Sequence, residues 1–283
     1  MKLGLVLEGG ASRTAFSCGV LDFFLDQNIM ADYLIGVSAG ISYGVSYASR
    51  QKGRNLELNH RFLPDKRYMG LRHMLNPHNK SFYNTKFVFE DVPNIHLPFD
   101  FQAFSKFRGK VVGVVTNIET GEAEYMEVPR DDRTFRVLQA SCSLPFLFKP
   151  VEINGNLYMD GGLSDSIPYR QAMKEGCDKI IVVLTRERGY RKEADPSVKL
   201  ARRVYKEYPK LVDALQHRHE HYNACIDELN QLEQQNKIFV IAPDSTHGIK
   251  RTEHNPKILD NFYQEGYDKA ATLSAKLQTY LKS

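Results

Sequence analysis

The chain has 283 residues, 42% of them hydrophobic and 25% charged, which suits one large or two small domains with a sizeable core. No apolar run approaches the roughly 18 residues a spanning helix needs, and Glu8 interrupts the apolar N-terminus before a secretion-signal core is complete, so the protein reads as soluble and cytoplasmic. Net charge is only +4, but residues 50–86 carry +7 and residues 186–210 carry +5, leaving −8 for the remainder.

Residues 3–7 are a short apolar run that predicts a buried strand. The turn EGGASR (8–13) follows, then a helix over 14–27 with Phe16, Val20, Phe23 and Phe24 at helical spacing. Residues 33–37 predict a second strand and 39–50 a second helix. Strand, helix, strand, helix argues for an α/β protein with a parallel sheet and helices on its faces. Residues 60–105, rich in His, Asn, Pro and Phe, read as a less regular excursion over the main body. Residues 111–116 and 123–128 flank the turn NIETGE as one hairpin, and 133–141 predict a short helix. A second hairpin follows, with an Asn154-Gly155 turn. KIIVVLT (179–185) predicts a buried strand, 196–235 long polar helices, 237–242 a last strand and 256–281 a closing helix. On this reading residues 1–185 form the core, excursion included. Residues 186–283 form a C-terminal helical elaboration with one further strand, packed on the same domain.

The stretch Gly36-Val37-Ser38-Ala39-Gly40 has the form G-x-S-x-G between a strand and a helix. That is the pattern of a nucleophile elbow, in which small flanking residues let a serine sit on a tight, strained turn at a helix N-terminus. The plain alternative is an ordinary turn with Ser38 as the helix cap. The earlier EGGASR turn adds Gly9 and Gly10, whose backbone N–H groups can share one concavity, as an oxyanion requires. Arg13, at the start of the next helix, can hold the loop or a phosphate. A dinucleotide-binding turn would need G-x-G-x-x-G, and Ala11 and Thr14 break that pattern.

Two bases compete for the Ser38 proton. His247 stands between the last strand and the last helix, where an α/β-hydrolase keeps its histidine. An α/β-hydrolase elbow follows several strands, however, and Ser38 follows only one strand and one helix. Asp160 is the stronger candidate: it ends a strand, and Gly161-Gly162 make the turn that aims its carboxylate at a neighbouring strand end.

The three motifs GGASR, GVSAG and DGG stand here in order, within text such as CGVLDFFLD and LPFLFKPVEINGNLYMDGGLSDSIPYRQAM. In this the chain resembles the patatin-like phospholipases, most of all their small single-domain bacterial branch, strongly over residues 1–185. The resemblance implies a three-layer α/β/α fold with a mainly parallel central sheet. It also implies a Ser–Asp dyad of Ser38 and Asp160, and an oxyanion hole from the backbone around Gly9, Gly10 and Ala11. Arg13, Gly36, Gly40, Gly161 and Gly162 then support the motifs. No metal or organic cofactor is implied. The family favours Gly at positions 11 and 14, so Ala11 and Thr14 point to a slow or selective enzyme.

The expected function is hydrolysis of carboxylic esters of lipids through an acyl-enzyme. The rivals are a non-catalytic lipid- or partner-binding protein on the same fold, and a Ser-His-Asp esterase using His247. The basic segment 50–86, with Phe62, Tyr68, Phe82, Tyr83 and the adjoining Phe87, suits peripheral contact with an anionic membrane surface. Nucleic acid is not an expected partner, because no recognition motif accompanies the basic runs. His217, His219 and His221 read as an exposed polar helix face rather than a metal site, and the four scattered cysteines as reduced, mostly buried thiols.

Overall fold

A computed structural model describes residues 1–77 and 79–283. His78, which falls inside the predicted excursion and the first basic segment, lies outside the described residues.

The strands are β1 (Leu3–Leu7), β2 (Tyr33–Val37), β3 (Lys110–Asn117), β4 (Ala123–Glu127), β5 (Val151–Ile153), β6 (Asn156–Asp160), β7 (Lys179–Val183) and β8 (Phe239–Ile241). They form one mixed, mostly parallel sheet in the order β5-β6-β3-β2-β1-β7-β8, with β4 paired to β3. The helices are α1 (Ala15–Asp26), α2 (Ala39–Ala48), α3 (Arg54–Phe62), α4 (Leu71–Leu75), α5 (Phe101–Lys106), α6 (Arg136–Ser141), α7 (Tyr169–Lys174), α8 (Val198–Val204), α9 (Pro209–Gln234) and α10 (Pro256–Lys282).

The strand sequences explain the layers, because successive side chains point to opposite faces. Leu5, Leu7, Leu34, Ile181 and Val183 pack with α1, α2 and α10 on one face. Val6, Ile35, Val112, Val114 and Val182 pack with Tyr169 of α7 and Tyr222 and Ile226 of α9 on the other. Both faces of the central strands are therefore buried, which is why they read as continuous apolar runs. This is the three-layer α/β/α fold expected from the sequence. Asn154 (φ 51) and Gly155 (φ 82) make the left-handed pair that closes the β5–β6 hairpin.

The excursion differs from the reading as irregular chain. It is largely helical, with α3, α4, α5 and a π-helical stretch (Phe87–His96) that contains Pro93. A helix interior normally rejects proline, whose missing N–H breaks the hydrogen-bond ladder, so the sequence pattern hid this element. Phe62, Tyr68 and Phe87, read as membrane-facing, are buried, while Lys66, Arg67, Leu71 and Leu75 stay exposed.

One feature of the sheet positions the site. β2 runs parallel to β3 and ends at Val37, paired with Val114. β6 runs antiparallel to β3 and ends at Asp160, paired with Val115. Since β4 pairs with β3 from Val112 to Thr116 on the other edge, β2 and β6 share one edge and meet end to end. The residue after one strand and the last residue of the other are thereby brought together, although 122 positions separate Ser38 and Asp160.

Candidate active site

Ser38 sits on the turn between β2 and α2 with φ 54 and ψ −131, a conformation that strains any residue other than glycine. Its hydroxyl makes no capping bond to α2, so the cap reading of this serine does not hold. Its backbone N–H donates instead to Ser141 Oγ at 2.8 Å, which anchors the elbow to α6. A side chain at Gly40 would lie 2.7 Å from the Glu8 carbonyl, and Gly36 likewise has no room against Ile41; the turn can close only with both bare.

Asp160 is 2% exposed. Its Oδ1 accepts from the Gly162 N–H at 2.8 Å, and Thr116 Oγ1 donates to its carbonyl at 2.8 Å. Gly161 is required here because a Cβ would fall 2.2 Å from the Val114 carbonyl. Burial pushes the Asp160 carboxyl above the usual range, against the opposing pull of the Arg218 guanidinium, the Gly162 N–H and the Ser38 hydroxyl. The Ser38 hydroxyl thus lies beside the carboxyl, yet the buried Oδ2 has no completed hydrogen bond. Loose contact of this kind is common between catalytic groups before substrate binds.

The loop after β1 lies against the elbow. A side chain at Gly9 would stand 3.0 Å from Ser38 Cβ and one at Gly10 2.6 Å from Thr185 Oγ1, so bare backbone faces the serine. Ala11 opens a short 3-10 turn (Ala11–Thr14) with φ 49, in the left-handed region where glycine is favoured. Thr14 is buried and its hydroxyl has no partner. Arg13 is 7% exposed and its Nε is also unpartnered.

Two pockets open from Ser38. An apolar one, with about 970 Å³ of empty space including its mouth, runs from Ser38 under the excursion, past Leu58, Tyr68, Phe89, Val92 and Phe148. A smaller polar pocket holds Asp160, the Gly9–Gly10 turn and Arg13, and is walled by Arg186, Lys192, Arg218 and Arg251. Among the described residues no histidine lines either pocket. His247 is exposed, pairs with Glu265 Oε2 at 2.9 Å and sits edge-on to Phe262, outside both walls. The structure therefore brings Ser38 and Asp160 together and leaves His247 apart.

Sequence reasoning missed Ser141 and the cations at 186, 192, 218 and 251. The charge run over 186–210 was visible, but not where it folds. Cys142 also lines the apolar pocket, where burial pushes its thiol up to about 12, so it behaves as packing. Among the described residues no group of three or more His, Cys, Asp and Glu side chains could hold a metal ion; of the α9 histidines His221 is exposed, whereas His217 and His219, read as exposed, are half-buried.

The family model described as patatin-like phospholipase matches residues 5–173. A second model, described as a domain of unknown function (DUF6363), matches residues 208–282. The chain is 25% identical over 187 residues to the uncharacterized protein YjjU of Escherichia coli, covering 65% of this chain and 52% of that one. It is 28% identical over 198 residues to lysophospholipase NTE1 of Cryptococcus neoformans, covering 64% of this chain and 11% of that one. The chain thus spans about half of the first relative and about a tenth of the second. VipD from Legionella pneumophila superposes with a TM-score of 0.45 at 15% identity, covering 96% of this chain and 66% of that one.

Proposed function

The chain belongs to the patatin-like phospholipase family, and from that premise we propose that it is a lipid acyl hydrolase working through Ser38 and Asp160. Ser38 Oγ attacks the ester carbonyl as the Asp160 carboxylate accepts its proton. The tetrahedral oxyanion is held by the N–H groups of the Gly9–Gly10–Ala11 loop. Collapse passes the proton from Asp160 to the departing alcohol and leaves an acyl-enzyme. Water, activated by Asp160, then releases the fatty acid. The raised pKa of the buried carboxyl supports this role, because it moves an ordinarily weak base towards neutral pH. Each step is carried by the chain's own residues.

The observation that carries the reading is the end-to-end meeting of β2 and β6 on one edge of β3. It sets a strained serine beside a buried carboxyl oxygen that lacks a partner, at the mouth of an apolar pocket.

The test is covalent labelling with a fluorophosphonate probe on wild type, Ser38→Ala, Asp160→Asn and His247→Ala. Labelling is expected to vanish in the first variant, to fall by at least a hundredfold in rate in the second, and to persist in the third. Loss in a folded His247→Ala protein would mean a histidine base. A wild type that takes no label would favour a binding protein on this fold.

A further inference from the structure

The polar pocket holds more positive charge than the reaction of Ser38 and Asp160 needs. Arg13, Arg186, Lys192, Arg218 and Arg251 line it with two carboxylates, Glu8 and Asp160. Glu8 is occupied elsewhere: Tyr222 Oη donates to one oxygen at 2.8 Å and the Thr185 N–H to the other at 2.6 Å. Among the described residues none of the five cations makes an ion pair within 4.0 Å. Arg218 Nε donates to the Gly162 carbonyl, and Arg186 reaches Thr246 Oγ1 only at 3.5 Å. Half-buried Lys192 lies over the Tyr222 ring at 4.3 Å, exposed Arg251 stands at the mouth, and the buried Arg13 Nε has no partner. Asp195 is a further acid near Arg218 and Arg251, but it lies in the neighbouring groove and accepts from Ser197.

Five cations facing two pocket carboxylates, with no ion pair between them, leave an excess of positive charge, and a fold keeps such an excess when something negative binds there. Ser38 and Ala11 line both pockets, so an ester at Ser38 can send its acyl chain into the apolar pocket and its other end among the cations. We infer that this pocket binds the phosphate of the lipid headgroup, and that the favoured substrate is an acyl glycerophosphate with no balancing ammonium. This rests on the hydrolase reading above. A choline headgroup would bring its own cation into a wall whose carboxylates are Glu8, already held by Tyr222 and Thr185, and Asp160, which the reaction uses as its base. Burial and the neighbouring Arg218 push the Lys192 ammonium down to about 7, and Glu8 offsets only part of that.

The test compares three esters carrying one acyl chain: the acylglycerol 3-phosphate, the acylglycerophosphocholine and the acylglycerol. Wild type is expected to favour the phosphate over the choline ester at least tenfold in kcat/KM. Lys192→Gln and Arg251→Gln should each erase most of that preference, while Lys199→Gln, which removes the same charge from the exposed face of α8, keeps it. No preference in wild type, or one that survives both pocket variants, overturns the assignment. Calorimetry on Ser38→Ala separates this failure from failure of the hydrolase reading. If that variant binds the acylglycerol phosphate more tightly than the acylglycerol while wild type cleaves neither, the headgroup pocket stands and the hydrolase reading falls. Inorganic phosphate binding as tightly as the lipid would make this a free-anion site and overturn the headgroup assignment.

Discussion

The two walls around Ser38 are built from different parts of the chain and by different forces. The apolar wall comes from α2, α3 and the π-helical stretch, all within residues 39–99, with Phe135, Leu138 and Phe148 closing it. Its side chains are held by burial, and each would pack equally well against a neighbour or against a ligand. The cationic wall takes only Arg13 from the first half of the chain; Arg186, Lys192, Arg218 and Arg251 come from a loop after β7, from α9 and from the turn before α10. Inside the pocket it faces only two carboxylates, Glu8 and Asp160, and makes no ion pair with either. A surplus of apolar side chains is compatible with plain core packing, whereas an excess of like charge is costly to keep, so the second wall says more about the ligand.

If the walls act separately, changing one should alter one kind of selectivity. Leu58 is partly buried and lines the apolar pocket, so Leu58→Trp should fill part of it. Excluding three methylenes at about 0.8 kcal/mol each should lower the kcat/KM ratio of long-chain to short-chain esters roughly fiftyfold. The preference for a phosphate headgroup should stay as in wild type. A chain-length panel run on both headgroups checks this, and a change in both selectivities would mean that the walls are coupled.

The cationic wall also reaches the base. Arg218 lowers the Asp160 pKa, partly offsetting the burial that raises it. Asp160 must be deprotonated to accept the serine proton, so activity rises with pH through its pKa. Arg218→Gln removes the opposing charge, the pKa rises further, and the acid limb of the kcat/KM profile should move to higher pH. A several-fold loss at acid pH should recover as the pH is raised. Arg218→Lys keeps the charge and should keep the wild-type limb, even though it loses the hydrogen bond to Gly162. If Arg218→Lys shifts as far as Arg218→Gln, Arg218 acts through geometry and not through charge.

How much of this was legible in the sequence follows the same division. β1, β2 and β6 carry their own signals, an apolar run or a hairpin turn, and Ser38 and Asp160 could be singled out from the glycines beside them. Their meeting could not be read, because it depends on β3 pairing with β2 along one half and β6 along the other. The apolar wall was half legible. Its aromatic residues stood out, but they looked suited to a membrane surface, whereas Tyr68 and Tyr83 line the pocket. The cationic wall was scattered over residues 13–251, and charges that converge only in three dimensions leave no pattern along the chain. His247 had the right address in sequence for a catalytic base; the α10 carboxylate of Glu265 holds it elsewhere.

Ala11 belongs to both walls, and it gives the smallest effect. At φ 49 it adopts a conformation that costs an L-residue roughly 1–2 kcal/mol. Ala11→Gly relieves that strain but gives the unfolded chain more freedom, worth about 0.4–1 kcal/mol in the other direction. The net gain should be under about 1 kcal/mol, a rise of about 2 °C in Tm for a chain of this size. Ala11→Val should lose stability instead, since a β-branched side chain fits left-handed backbone worse than alanine does. Thermal unfolding of the three proteins orders them, and the rate of fluorophosphonate labelling shows whether the loop's strain matters to the reaction. Gly at 11 with higher stability and unchanged labelling would make the strain a local burden only. Slower labelling in that more stable protein would mean that Ala11 holds the loop's N–H groups towards the oxyanion, and that the two walls meet at a strained hinge the reaction uses.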